Sequence, residues 1–150
     1  MDKDKLKWCG GQKKGVALIE PKEHLSKSYI KESDDTLENV FTSRGKWKVI
    51  TAYYACYSAV YSILMKCGIR CEIHDCTLEL LELLGLEGND IVFVRSLKED
   101  RIQAQYYLKD VVLKSENDVK KFILACKTVL NSLGSEKIES VRKELEDLIR

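Results

Sequence analysis

A chain of 150 residues with 45% apolar and 33% charged side chains has the size and composition of one globular domain and is too apolar for a disordered polypeptide. Its formal net charge of +1 provides no global field to draw it to nucleic acid or membrane. With a single proline, long stretches are free to become helical.

Residues 1–20 stand apart from the rest. Lys3, Lys5, Lys7, Lys13 and Lys14 outnumber Asp2 and Asp4, and three glycines punctuate the segment. Trp8 and the run Val16-Ala17-Leu18-Ile19 read as anchors of an extended basic arm, pinned to the remaining chain by Trp8 and Leu18. Residues 21–150 then form one helical domain. A first helix is expected from Pro21, with Leu25, Tyr29, Leu37, Val40 and Phe41 on one stripe. A second runs from Lys46 to Lys66, apolar nearly all round from Ala52 to Met65, so that both its faces need cover. Asp75 can cap a short leucine-rich helix that Gly85 stops.

Gly88-Asn89-Asp90 reads as a turn, and Ile91-Val92-Phe93-Val94 looks strand-like but lacks a partner strand. The next helix carries Leu97, Ala104, Leu108 and Val111 or Val112 inward. Ser115 and Asp118 form a variant capping box for a helix whose stripe is Val119, Phe122, Ile123, Cys126, Val129, Leu130 and Leu133. After Gly134 a last helix buries Ile138, Val141, Leu145, Leu148 and Ile149. The expected fold class is all-α: an antiparallel bundle of four to six helices with short connections.

Six cysteines raise the question of a disulfide framework. The start Met-Asp-Lys-Asp-Lys has no apolar segment of the secretory kind, so the expected compartment is the cytoplasm and the expected thiols are reduced. The longest uncharged run, Val49 to Met65, carries four tyrosines, two serines and a threonine and reads as a buried helix, not a membrane span. Cys67, Cys71, His74 and Cys76 crowd into ten residues, too tight to wrap one tetrahedron. No metal and no cofactor are expected. His74 reads either as a loop residue bonded to a carbonyl or as a contributor to a cleft beside the second helix, and His24 as a solvated surface residue.

Tyr53, Tyr57 and Tyr61 recur every four residues, a pattern of core or subunit seam more than of a base-stacking platform. The second helix has more apolar surface than its neighbours are expected to cover, which points to a homodimer. Arg101 and Tyr106 lie about 140° apart around their helix, flanking one another without sharing a stripe. Serine triads, phosphate-binding loops and dinucleotide fingerprints are absent.

The stretch Trp47 through Met65, above all Ile50-Thr51-Ala52-Tyr53-Tyr54-Ala55-Cys56-Tyr57-Ser58-Ala59-Val60-Tyr61, followed by Gly68-Ile69 and His74, resembles the HEPN domains (higher eukaryotes and prokaryotes nucleotide-binding). Arg101-Ile102-Gln103-Ala104-Gln105-Tyr106-Tyr107 is similar to that family's fourth helix, and the likeness covers about residues 20–133. The resemblance implies a dimerising bundle with a cleft where two fourth helices meet, and a seam through Tyr53, Tyr57, Tyr61 and Ala104. It further implies RNase activity of a toxin type, or a partnership with a minimal nucleotidyltransferase in a toxin–antitoxin-like pair. The family's signature is an arginine followed after four to six residues by a histidine. Arg101 matches the arginine, and Tyr106 holds the place of the histidine. Arg70 and His74 lie on another segment and do not restore the motif. Leu108 stands where relatives carry a tyrosine that their partner adenylylates.

RNA cleavage through the 2′-hydroxyl needs a proton acceptor titrating near neutrality, which histidine supplies and an ordinary tyrosine does not. The expected function is therefore a non-catalytic or weakly catalytic module that binds a nucleotide, RNA or a nucleotidyltransferase through Arg101, Tyr106, Tyr107 and His74. The alternative is a divergent metal-independent RNase using Arg101 and Tyr106, or His74 from elsewhere.

Overall fold

The central helix of the protein is apolar on almost every face, and the other elements are arranged around it. In the computed structural model, which describes residues 1–150, the order is α1 (Lys3–Gly10), β1 (Ala17–Leu18), α2 (Glu23–Thr42), α3 (Lys46–Cys67), β2 (Ile69–Arg70), α4 (His74–Glu79), α5 (Gly88–Gln105), α6 (Glu116–Ser132) and α7 (Ser135–Ile149). Helices take up 71% of the residues, and the sheet is one antiparallel pair of two-residue strands. The chain is all-α in class, and no helix is long and apolar enough to cross a membrane.

α3 packs against α2, α5, α6 and α7, which together leave a side that carries Tyr54, Tyr57 and Tyr61 partly open. The α2–α3 seam is built on small residues, not on the full stripe the sequence predicts. Ser33 of α2 donates to the Ala55 carbonyl and Ser62 of α3 to the Ser26 carbonyl, both at 2.7 Å, so that one buried serine from each helix brings the backbones close. The inward row is Ser26, Ile30, Ser33, Leu37 and Val40, with Tyr29 beside it, while Leu25 and Phe41 lie exposed at its rim. α2 itself begins at Glu23, two residues after the expected Pro21.

Gly68 ends α3 in the left-handed region at φ +67°, its amide returning to the Leu64 and Met65 carbonyls. A Cβ there would meet the Ile19 carbonyl at 2.4 Å and an Arg142 nitrogen at 2.3 Å. Arg142 Nη1 from α7 donates to the carbonyls of Ile19, Cys67 and Gly68, each at 2.8 Å. This one guanidinium ties the N-terminal segment, the end of α3 and α7 together.

The segment 1–20 is a helix and a strand, where an extended arm is predicted. Asp2 caps α1 by accepting from the Lys5 amide, and Leu6, Cys9 and Val16 are buried in the core. Trp8, expected as an anchor, is 55% exposed. Docking of α1 places Cys9 against Cys76 of α4, and the two form a disulfide across 67 residues. The expectation of six reduced thiols is thus overturned for this pair; so wide a separation leaves no trace in cysteine spacing. Cys56, Cys67, Cys71 and Cys126 are free and buried.

Two further expectations give way around α5. Gly88-Asn89-Asp90 is its first turn, and Ile91–Val94 continue it, because Val94, Leu97, Lys98, Arg101 and Ala104 share a buried face at helical spacing. The helix then stops at Gln105. Leu108 takes φ +53° and the Lys109 amide closes onto the Gln103 carbonyl, turning Leu108 and Val112 out to solvent instead of inward. Ile73, not Asp75, is the N-cap of α4. The Ser115 cap of α6, accepting from the Asp118 amide, follows the sequence reading.

Closure of a loop of this size by a disulfide removes chain entropy worth about 4 kcal/mol from the unfolded state. Cys76→Ser is expected to lower the unfolding free energy by that order in chemical denaturation under non-reducing conditions. A thiol reagent added to the denatured, unreduced wild type should count four thiols; a count of six, or an unchanged midpoint in Cys76→Ser, would remove the bridge.

Candidate functional site

The open side of α3 carries tyrosines, and the chain returns across it. After Gly68 the backbone reverses through β2 and starts α4 at His74, which brings the imidazole onto the Tyr53–Tyr57 row. The ring of His74 stacks on Tyr57 with centroids 4.1 Å apart and planes within 9°, and its Nδ1 lies 2.7 Å from the Tyr53 hydroxyl. Tyr57 in turn shares a hydrogen bond with Thr77 of α4 at 3.3 Å. The i, i+4 spacing of Tyr53 and Tyr57 suits such a return, because it presents two hydroxyls to one neighbouring segment.

α5 supplies the cation. Its buried face turns Arg101 onto the same tyrosines, with the guanidinium carbon 4.7 Å from the Tyr53 centroid, 5.8 Å from Tyr54 and 5.6 Å from Tyr106. Arg101 is only 5% exposed. Nη1 donates to Gln105 Oε1 at 3.3 Å, Nε is buried without a partner, and no carboxylate lies within ion-pair distance. One turn earlier Lys98 is treated otherwise: its ammonium is paired with Asp75. Lys98 also holds the Asp75 carboxyl below its ordinary range, mainly through their hydrogen bond. Two buried cations therefore face α4, and only one has its counter-ion. Three aromatic faces compensate part of the Arg101 charge, and no counter-ion takes up the rest.

The protons of the site follow from burial. Withdrawal from water pushes the Tyr53 and Tyr57 hydroxyls well above the ordinary phenol range, so both remain protonated. His74 is pushed below its usual 6.5 by burial, with Arg101 and then Lys98 adding to the effect, so it is neutral at pH 7. Tyr53 is fully buried, and its hydroxyl has His74 Nδ1 as its hydrogen-bond partner. A buried hydroxyl donates where it can. Tyr53 O–H therefore donates to Nδ1, and the single imidazole proton resides on Nε2. The groups left without a partner here are donors: Arg101 Nε and the Nε2–H of His74.

The sequence-predicted residues divide accordingly. Arg101, His74 and Tyr106 come together, Tyr106 being the exposed member at 65%. Tyr107 is equally exposed and makes no ring contact with the cluster. Of the expected seam residues, Tyr53 and Ala104 are wholly covered within one chain, and Tyr57 and Tyr61 are half-buried. Tyr54, passed over in the sequence, is part of the Arg101 cage. Cys67, Cys71, His74 and Cys76 do not converge on a common point. Cys76 is bonded to Cys9, Cys71 donates to the Ile73 carbonyl, and burial pushes the Cys67 thiol up to about 11. No protein-family model matches the chain, and no curated protein is similar to it in sequence.

The His74 assignment has a pH consequence. The unfolded chain binds a proton near pH 6.5 and the folded one only at lower pH, so stability contributed by the neutral imidazole is present above 6.5 and lost as pH falls through it. In a proton NMR titration the His74 midpoint is expected below 6.5, and Arg101→Ala should move it upward. A wild-type midpoint above 6.5 would contradict the donor-only site.

Proposed function

We propose that the chain is a HEPN-like module that binds the phosphate of a nucleotide or RNA at the Arg101–His74 cluster without cleaving it. The observation that carries this reading is the buried guanidinium of Arg101, caged by Tyr53, Tyr54 and Tyr106, with an unpartnered Nε and no carboxylate. A phosphate entering beside the exposed Tyr106 accepts from Arg101 and from His74 Nε2–H, and its charge replaces the missing counter-ion. Tyr54 and Tyr106 offer ring faces at the mouth for a base or ribose.

The proton count favours binding over hydrolysis. A base that activates a 2′-hydroxyl needs an unprotonated nitrogen facing the substrate, and the nitrogen of His74 that lacks a proton is occupied by Tyr53. Tyr106 stands where the resembled family has its histidine. A minimal nucleotidyltransferase, presenting its own bound nucleotide, is a partner of the same chemistry, and the toxin–antitoxin-like pairing belongs to this reading.

Titration of ATP, AMP and a short RNA at low salt is expected to give saturable binding that Arg101→Ala weakens by about 2 kcal/mol, with folding intact. The absence of saturable binding, or undiminished binding by Arg101→Ala, would overturn the proposal. Arg101-dependent cleavage of a structured RNA by clean protein would replace it with the RNase reading.

The exposed apolar side chains beside the mouth, Tyr54, Tyr106 and Leu108, are the surface on which a homodimer would close the cleft. Sedimentation in the micromolar range should show a dimer that Leu108→Asp shifts toward monomer. A single 17.2 kDa species throughout would exclude it.

A further inference from the structure

Beyond His74 the aromatic row continues. Tyr57, stacked on His74 through one face, approaches Tyr61 at 5.8 Å, and Tyr61 meets Tyr29 of α2 at 4.9 Å. These three rings, with Cys71 and Glu72, line an open groove of about 230 Å³. The groove lies next to the Arg101 cluster, on the other side of the Tyr57–His74 stack. It is aromatic on its sides and has one carboxylate at its edge.

That carboxylate is available. Glu72 is about half exposed, and its ion partner is Lys14 at 3.4 Å, whose side chain is 72% exposed. A pair between two such groups is weak and readily exchanged for another donor. The Glu72 backbone, by contrast, is fixed, because its amide donates to the Lys14 carbonyl at 2.9 Å beside the small sheet. A carboxylate presents two acceptor oxygens side by side and no donor. Among the nucleobases only guanine offers two adjacent donors on one edge, N1–H and the N2 amino group. Adenine and cytosine set an acceptor beside their amino group, and uracil flanks its single N–H with two carbonyls.

The spacing agrees. From the level of Tyr53 to midway between Tyr57 and Tyr61, α3 rises about 9 Å. A 5′-nucleoside monophosphate separates its phosphate from its base by a distance of that order. We propose that the Tyr29–Tyr57–Tyr61 groove is a base subsite for a guanine nucleotide, its ring stacked on the tyrosines and its Watson–Crick edge bound by Glu72. The inference rests on the phosphate-binding reading above, since it places the attached phosphate at Arg101 and His74.

The test compares GMP, IMP, AMP, CMP, UMP and inorganic phosphate by calorimetry on the wild type, Glu72→Gln, Tyr61→Ala and Arg101→Ala. Wild type should prefer GMP over AMP by about tenfold, with IMP, which lacks the N2 donor, between them. Glu72→Gln should bring GMP down to the AMP level and leave AMP unchanged. Tyr61→Ala should weaken every nucleotide by about tenfold while inorganic phosphate binds as before. Equal binding of all the nucleotides with Arg101-dependent phosphate binding would overturn the base subsite alone. A guanine preference that survives Glu72→Gln would overturn the role of Glu72, and with it the subsite as proposed. Failure of phosphate and every nucleotide to bind would overturn both this inference and the reading beneath it.

Discussion

A helix that is apolar nearly all round must be enclosed, and the enclosure of α3 sets the positions of everything else. Around its last turn the cover is nearly complete, with Ile63, Leu64 and Cys67 all buried. The turns before it differ because the tyrosines there bring hydroxyls into the interior. A buried hydroxyl needs a partner, and the backbone of α3 is already used by its own helix. The partners come from α4: His74 for Tyr53 and Thr77 for Tyr57. The six-residue α4 is thus held against α3 by polar satisfaction and tied to α1 by the disulfide at Cys76. The same demand that completes the core draws an imidazole to the helix surface.

The charge pattern around that imidazole sets its chemistry. Asp75 could serve as counter-ion to either cation of α5, and it is committed to Lys98. Arg101 is left with ring faces, which favour a cation without neutralising it. An aromatic cage of this kind keeps the guanidinium planar and fixed, and it excludes water that would otherwise screen the charge. In the proposed phosphate site, discrimination among ligands would depend on what the phosphate carries.

Much of the architecture was legible because it follows from one-dimensional periodicity. The 3.6-residue stripe placed α3, α6 and α7 to within a residue or two, and the Ser115 cap fixed the start of α6. What failed has physical reasons. Ile91–Val94 has strand-forming residues, yet burial against α3 imposes helical spacing on Val94, Leu97 and Arg101. Leu108 lies on the extrapolated apolar face of α5 but takes a left-handed turn that no residue type there announces. The α1 helix is short and polar, and only Leu6 and Cys9 commit it to the core. As for the site, Arg101 and His74 were each visible and were separated because 26 intervening residues say nothing of a chain reversal. Their meeting depends on tertiary packing alone, as does the Cys9–Cys76 bond.

The placement of the first twenty residues bears on how the chain reaches its native state. α1 packs on α4 and α7, and β1 pairs with β2, so these partners of the N-terminal segment lie more than 50 residues downstream. α2 and α3, by contrast, form a hairpin of adjacent helices that can assemble as soon as both have emerged. During synthesis the oldest part of the chain is therefore among the last to dock, waiting for β2 and α4, and for α7 before Arg142 can clasp it. Until then the thiol of Cys9 is solvent-exposed and has no native partner. Ordering of the His74 loop then coincides with closure of the bundle, so the Arg101–His74 cluster would assemble in the final step of folding and not with the first collapse of α2 on α3.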